Sequence, residues 1–369
     1  MTDLLYSEAE DDLRAAVRSL LADRCDAAAV LTRAESDTPY DPRLWASLAT
    51  DMGLAGLLVP EKLGGQGATH REAAVVLEEL GRSVAPAPYL TGAVVAAETL
   101  LGCATDDADA AVAELLGALA SGRTVVVLAA PLSAAPSAEL SGAVRADGSS
   151  LSGRITGVAD AAAAKVLLVP AEDGLYAVET GAPGVTVESL TPLDLTRPLA
   201  TVTLDGAPGR RLAGSAAAPV RRGLLAGAGL LASEQLGLAE WCLEEVVRYT
   251  RDRKQFNRPI GSFQALKHRM AQLWLEVVSA RAAARNAADA LAAGSEDAPL
   301  AVAVAQTYCS RVAVHAAEEC VQLHGGIGMT WEHPAHLYLK RAKADSIALG
   351  APGRHTVAVA ELVGLPAPL

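Results

Sequence analysis

The chain has 369 residues, of which 51% are apolar and only 4% aromatic, and its formal net charge is −12. That length exceeds one small domain and suits two or three domains sharing a sizeable core. The acidic balance argues against a nucleic-acid partner, since only short basic clusters could offset phosphate charge, and no run of about 18 uninterrupted apolar residues offers a membrane span. Cys25, Cys103, Cys242, Cys309 and Cys320 show neither CxxC nor metal-ligand spacing. Most of them fall in helical apolar patterns and read as small core residues. An odd cysteine count with no signal peptide suits a reducing cytoplasm.

Residues 1–121 read as an N-terminal α-helical domain. Ser7 and Glu10 have the spacing of a capping box ahead of Leu13, Val17 and Leu20. Leu44, Leu48 and Met52 continue at helical intervals. Gly53 to Gly67, with Pro60, Gly64 and Gly65, reads as a loop. A helix is expected over Glu72–Leu80, ended by Gly81, before Pro86 and Pro88 open another connection.

Residues 122–213 change character and read as a central β-domain. Val125–Val127, Lys165–Val169, Leu175–Val178 and Thr201–Leu204 are strand candidates, and Asp147-Gly148 and Asp173-Gly174 are turn signals. Residues 214–369 return to helix as a four-helix-type bundle. One stripe holds Leu231, Leu238, Cys242, Val246 and Tyr249. Phe263, Leu266, Met270, Leu273 and Val277 step by three and four, and Tyr308, Val312, Ala316 and Cys320 mark a further helix. The expected fold class is therefore α+β multidomain.

Two blocks in the last third carry chemistry. The first runs from Arg251 to Gln264. Within it Arg253 has the planar fork that grips two oxygens of a pyrophosphate, although a solvated basic turn has the same composition. The second is Gln322-Leu323-His324-Gly325-Gly326-Ile327-Gly328. Adjacent glycines after a helix let backbone approach a ligand closely, although helix C-caps produce the same pair.

Together the two blocks resemble the cofactor-contacting segments in the C-terminal domain of acyl-CoA dehydrogenases, FAD enzymes that desaturate acyl thioesters between Cα and Cβ. The likeness covers nearly the whole chain. It includes the order of helices, β-domain and bundle, the Pro60-Glu61 segment with its following glycines, and the flanks Trp331-Glu332-His333 and Lys340-Arg341-Ala342-Lys343. The resemblance implies that Arg253 and Gln264 contact FAD and that Phe256 packs near it. It also implies that Gln322, Gly325 and Gly326 reach the FAD of a neighbouring subunit, with His324 capping the helix or lining the adenine side.

The chain departs from that family where the chemistry is done. The catalytic glutamate occupies one of two positions in the family. Here one reads Leu349, followed by Gly350-Ala351 in place of Gly-Thr, and the other, counted back from Arg253, reads Gly227. The nearest acids, Asp345 and Glu234, read as helix-surface carboxylates. Glu234 is seven residues from Gly227, roughly 10 Å along a helix. Gly153–Ala159 stands where the family has a Gly-Lys-x-Trp-Ile-Thr-Asn-like run, with Thr156 at the tryptophan and Val158 at the threonine, and Ala130-Pro131-Leu132 stands for Thr-Glu-Pro. The chain thus resembles the catalytically degenerate subunit of actinobacterial heteromeric acyl-CoA dehydrogenases of sterol side-chain degradation. That likeness implies an acyl-CoA substrate, a homo- or hetero-tetramer with a related subunit, and an electron-transfer flavoprotein or similar acceptor. Two other readings remain: an active homotetramer with an unrecognised base, and a non-catalytic helical binding protein that kept the fold.

Overall fold

The structure, a computed structural model, describes residues 4–366 apart from 37, 39 and 104–109. Helices α1 (Glu8–Arg24), α2 (Ala27–Ala34), α3 (Pro42–Ala46) and α4 (His70–Arg82) open the chain. The Ser7–Glu10 capping box forms, with the Glu10 carboxylate accepting from Ser7 N–H at 2.6 Å. A second box, Thr69 with Glu72, starts α4 two residues earlier than the apolar pattern predicts. Between α3 and α4, 3-10 turns at Leu54–Gly56 and Glu61–Leu63 take up the glycine-rich loop. A π-helical segment, Tyr89–Ala96, then runs into α5 (Ala97–Leu101), and α6 (Ala110–Ala120) follows.

The middle of the chain folds into strands β1 (Val126–Leu128), β2 (Val144–Asp147), β3 (Ser150–Ala159), β4 (Val166–Ala171), β5 (Gly174–Glu179), β6 (Val185–Leu190), β7 (Leu199–Pro208) and β8 (Arg210–Ala213). They form two four-stranded sheets, ordered β1-β4-β5-β8 and β2-β3-β7-β6. Asp147-Gly148 and Asp173-Gly174 fall at the β2–β3 and β4–β5 hairpins, where the sequence puts turns. The β1–β4 pair is parallel, and the other pairs in these two sheets are antiparallel. Leu151, Val158, Leu167, Leu168 and Val202 fill the interior at 0% exposure.

The C-terminal part is built on α7 (Ala217–Asp252). It continues through the short hairpin β9 (Lys254–Gln255) and β10 (Arg258–Pro259) to α8 (Gln264–Ala292), α9 (Ala298–His324), α10 (Ala335–Asp345) and α11 (Pro352–Leu362). Small residues let these helices approach closely: Ala280, Ala284, Ala287, Ala305, Ala313, Ala316 and Cys320 are all buried. Among the described residues no helix is long and apolar enough to cross a membrane.

Gly81 falls in the last turn of α4, which closes one residue later at Arg82, and it sits at the crossing with α7. A Cβ on Gly81 would fall 2.1 Å from the Glu234 carbonyl oxygen, and one on Gly237 would fall 1.9 Å from that of Glu78. The two glycines let the backbones touch. Gly237→Ala is therefore expected to force α4 and α7 apart and cost about 1–3 kcal/mol, read from urea unfolding. An unchanged midpoint would contradict this packing.

Candidate functional site

The Gly227 and Leu349 positions, 122 residues apart in sequence, meet in space. A Cβ on Gly227 would come within 3.1 Å of Leu349 Cδ1 and 2.5 Å of Val95 Cγ2. Leu349 is 3% exposed and held in a left-handed turn at φ +52°. Its N–H donates to Leu132 O at 2.7 Å, and its carbonyl faces His355 Nε2 at 3.0 Å. Leu349 lines a cavity of about 30 Å³, with Leu90, Thr91, Val95, Leu128 and Leu224 among the residues around it. That is room for one or two waters. Among the described residues Thr91 brings the one side-chain hydroxyl to this wall, and it donates to Asp160 Oδ2 at 2.7 Å. Burial pushes the Asp160 carboxyl above its ordinary range.

Glu234 and Asp345 are not surface carboxylates; both are at most 1% exposed. The sequence shows each on a helix but not the partners that make its burial tolerable. Arg197, from the β6–β7 loop, donates to both Glu234 oxygens at 2.6 and 2.7 Å and to Asp345 Oδ1 at 3.0 Å. Arg341, on α10, donates to Glu234 Oε1 and Asp194 Oδ2, each at 2.5 Å, and to the Thr196 hydroxyl at 2.6 Å. Desolvation works against ionising Glu234, but Arg197 and Arg341 outweigh it and hold the carboxyl below its usual range. Burial and the Glu234 charge push Asp345 up instead. Asp345 Oδ2 has no hydrogen-bond partner among the described residues, which leaves that oxygen free to carry the proton. The cluster ties the β-sheet region to the helical bundle.

The Arg253 block lies on the surface. Arg253 itself is the C-cap of α7, exposed, and makes no ion pair among the described residues. The β9–β10 hairpin turns through Phe256 and Asn257, both at positive φ. Asparagine tolerates this conformation and phenylalanine rarely adopts it. The turn leaves the Phe256 ring 86% exposed at the tip. Arg258 lies over the Phe263 ring at 3.9 Å, and Gln264 is the exposed first residue of α8.

The glycine loop comes alongside the same end of α7. His324 is buried, and its ring lies 4.3 Å from that of Tyr249, one turn before Arg253. Gln322, Gly325 and Gly326 are exposed. Gly325 ends α9 at φ +63°, and a Cβ on Gly325 or Gly326 would meet nothing within 4 Å. His324 neither caps the helix through its side chain nor faces outward: Nδ1 sits 2.7 Å from Cys320 O, and the ring packs on His333. The surface so formed has an unpaired guanidinium, the free N–H groups opening a 29-residue helix and glycine backbone with open space in front. Such a surface fits the phosphates of an anionic dinucleotide.

On β3, Thr156 is exposed and Val158 is buried between the sheets at 0%. Ala159, one residue on, reaches the cavity wall, and Asp160 follows it. A bulge at Gly157, φ +78°, turns the strand there. Counting along the sequence does not see that bulge, so it misses Asp160.

Matched against protein families, residues 7–123 fit the acyl-CoA dehydrogenase N-terminal domain and residues 218–363 the C-terminal domain. The chain is 36% identical over 340 residues to the acyl-CoA dehydrogenase IpdE2 of Mycobacterium tuberculosis, covering 92% of each chain. The ChsE4-ChsE5 complex from Mycobacterium tuberculosis superimposes with a TM-score of 0.86 at 28% identity, over 100% of both chains. A variant of the Tcur3481-Tcur3483 steroid ACAD superimposes with a TM-score of 0.85 at 29% identity, over 97% of this chain and 98% of that one. With its helical, β-sheet and helical-bundle parts in the matching order, the chain belongs to the acyl-CoA dehydrogenase family.

Proposed function

We propose that this chain is one subunit of a heteromeric, FAD-dependent acyl-CoA dehydrogenase, without a catalytic base of its own, and that it completes the FAD site of a related partner subunit. One observation carries the reading. The two base positions, Leu349 and Gly227, pack against each other, and the apolar cavity of about 30 Å³ that Leu349 lines is far too small for an acyl thioester. The surface around Arg253, Gln264, Gln322, Gly325 and Gly326 is open by contrast. Bound FAD supplies the hydride acceptor. On this reading Arg253 grips its pyrophosphate, the Gly325-Gly326 backbone approaches it, and Phe256 covers it from the hairpin tip. Likeness to a steroid ACAD and to the ChsE4-ChsE5 complex favours a sterol-derived acyl-CoA as substrate of the assembled enzyme, in a tetramer that passes electrons to an electron-transfer flavoprotein or similar acceptor.

The test is coexpression. The chain alone and the chain with a glutamate-bearing relative are assayed for reduction of an artificial electron acceptor with a panel of acyl-CoA thioesters. Activity is expected in the pair and absent once the partner's glutamate is removed. Full FAD occupancy and robust turnover by the chain alone would overturn the proposal. Arg253→Ala is expected to weaken FAD retention in the assembly by about 1.5–3 kcal/mol, the worth of a charge-assisted bond, seen as lost flavin absorbance after gel filtration.

A specific feature favours a second reading, an active chain. Asp160 is buried beside the cavity and reaches its wall through Thr91. Burial raises its pKa above the ordinary carboxylate range, against the pull of Thr91, Arg197 and Arg341. Turnover by the chain alone that Asp160→Asn abolishes would establish it.

A further inference from the structure

Behind the glycine loop, three side chains from three segments converge. Glu245 comes from α7, His324 from the end of α9, and His333 from the turn before α10. Glu245 Oε1 lies 3.6 Å from His324 Nε2 and 3.3 Å from His333 Nε2, and the three ligand atoms lie within 4.8 Å of one another. His324 is the informative member. Its Nδ1 lies 2.7 Å from the Cys320 carbonyl, an acceptor, so Nδ1 carries the proton and Nε2 a lone pair. That Nε2 is buried without a hydrogen-bond partner among the described residues, and it points at a carboxylate oxygen. At 3.6 Å the ring nitrogen and the carboxylate oxygen are too far apart for a hydrogen bond, and a cation between them would satisfy both.

We propose that Glu245, His324 and His333 bind a divalent transition metal, with Zn²⁺ as the best match. Two imidazoles and one carboxylate suit zinc and offer too few oxygens for calcium or magnesium. Ligands about 2.0–2.1 Å from a tetrahedral zinc stand about 3.3–3.4 Å apart. The two imidazole–carboxylate distances, 3.3 and 3.6 Å, come close to that spacing, and the two rings, which pack on each other with their ligand atoms within 4.8 Å, must shift to converge on one ion. The Cys320 carbonyl on Nδ1 is the outer hydrogen bond that fixes a ligating histidine's tautomer. Three local bonds must yield, the first being the 3.3 Å hydrogen bond that His333 Nε2–H donates to Glu245 Oε1. His333 Nδ1 accepts from Ala335 N–H at 3.2 Å, and ligation through Nε2 moves the ring proton to Nδ1 at the expense of that contact. Arg248, 67% exposed, pairs with Glu245 and must swing partly into solvent. The fourth position falls to water, because Cys320 Sγ is on the Nδ1 side of His324, at 3.8 Å. Metal there would staple residues 325–332 to α7 at both ends of the segment. The site is independent of the flavin proposal, since its test scores metal alone.

The chain, in whatever assembly it is isolated, is stripped with dipicolinate and titrated with ZnCl₂ by calorimetry and with CoCl₂ by visible absorption. The expected result is one zinc per chain at sub-micromolar Kd, tetrahedral Co²⁺ bands and a raised Tm. Because His324 is buried, the deciding variants are His333→Asn and Glu245→Gln. Each is expected to weaken zinc at least about 10–100-fold, as loss of a ligand exceeds the cost of losing its outer support. His315→Asn, whose ring pairs with Glu276 elsewhere, is expected to bind as the parent does. Sub-stoichiometric zinc, an octahedral Co²⁺ spectrum, or affinity unchanged in His333→Asn and Glu245→Gln would mean an adventitious ion only and overturn the proposal.

Discussion

Arg341→Ala is expected to destabilise the chain by about 3–5 kcal/mol, measured by urea unfolding, an effect large enough to threaten expression. Arg341 is 2% exposed, and its guanidinium serves Glu234, Asp194 and Thr196 together. Truncation leaves a fully buried Glu234 with Arg197 alone and removes the one guanidinium bonded to Asp194. It also opens a cavity the length of the side chain. The cost lies in the stranded carboxylates rather than in the ion pair itself, so removing a charge of each sign is expected to cost less than the sum of the two single changes. Arg341→Met combined with Glu234→Gln tests this. A loss below about 1 kcal/mol for Arg341→Ala would show that the carboxylates take up protons or water without penalty.

Restoring a carboxylate is expected to fail. Leu349→Glu in the isolated chain should leave acyl-CoA turnover about 10²–10⁴-fold below the coexpressed assembly, the range over which a positioned base matters. The glutamate would enter a cavity of about 30 Å³ whose one side-chain hydroxyl, on Thr91, already donates to Asp160. With no donor it would stay protonated, and burying it costs about 1–3 kcal/mol. Gly227→Glu is worse placed, because its Cβ alone collides with Val95 at 2.5 Å. Thr156, exposed on β3, and Val158, buried between the sheets, are unaltered by either change. Turnover regained by Leu349→Glu alone would mean that a substrate channel opens on binding, and the half-site reading would fall.

Periodicity carried most of the helices. The stripe from Phe263 to Val277 lies on α8, and the step from Tyr308 to Cys320 on α9, because a 3.6-residue repeat is a property of the sequence alone. Turn chemistry located the hairpins at Gly148 and Gly174 for the same reason. What escaped depends on partners far away in the chain. Glu234 and Asp345 look like helix-surface acids until Arg197, 37 residues from the first and 148 from the second, and Arg341, 107 residues from Glu234, are seen beside them. Gly81 has the composition of a helix end, and only the crossing with α7 gives it another reason to be glycine. The Gly157 bulge shifts which β3 residue reaches the cavity, and a single extra residue leaves no trace in an alternating pattern. Of the cofactor candidates, the sequence identified chemical types and close spacing. That the blocks at Arg253 and Gln322 lie along one end of α7 follows from His324 stacking on Tyr249.

The buried cluster of Asp194, Arg197, Glu234, Arg341 and Asp345 bears on how the chain comes apart. Its members come from the β6–β7 loop, the middle of α7 and the end of α10. Separating the sheets from the bundle would leave charges on each side without their counterparts while much of their surroundings stayed dry. A species with one part folded and the other detached is therefore expensive, although each part has apolar interior of its own. Denaturation should follow a single transition, with β-sheet and helix signals lost together. Mechanical or proteolytic opening should likewise find no soft seam between the sheets and the bundle, so that local motion is left to the exposed hairpin and the glycine loop at the far end of α7.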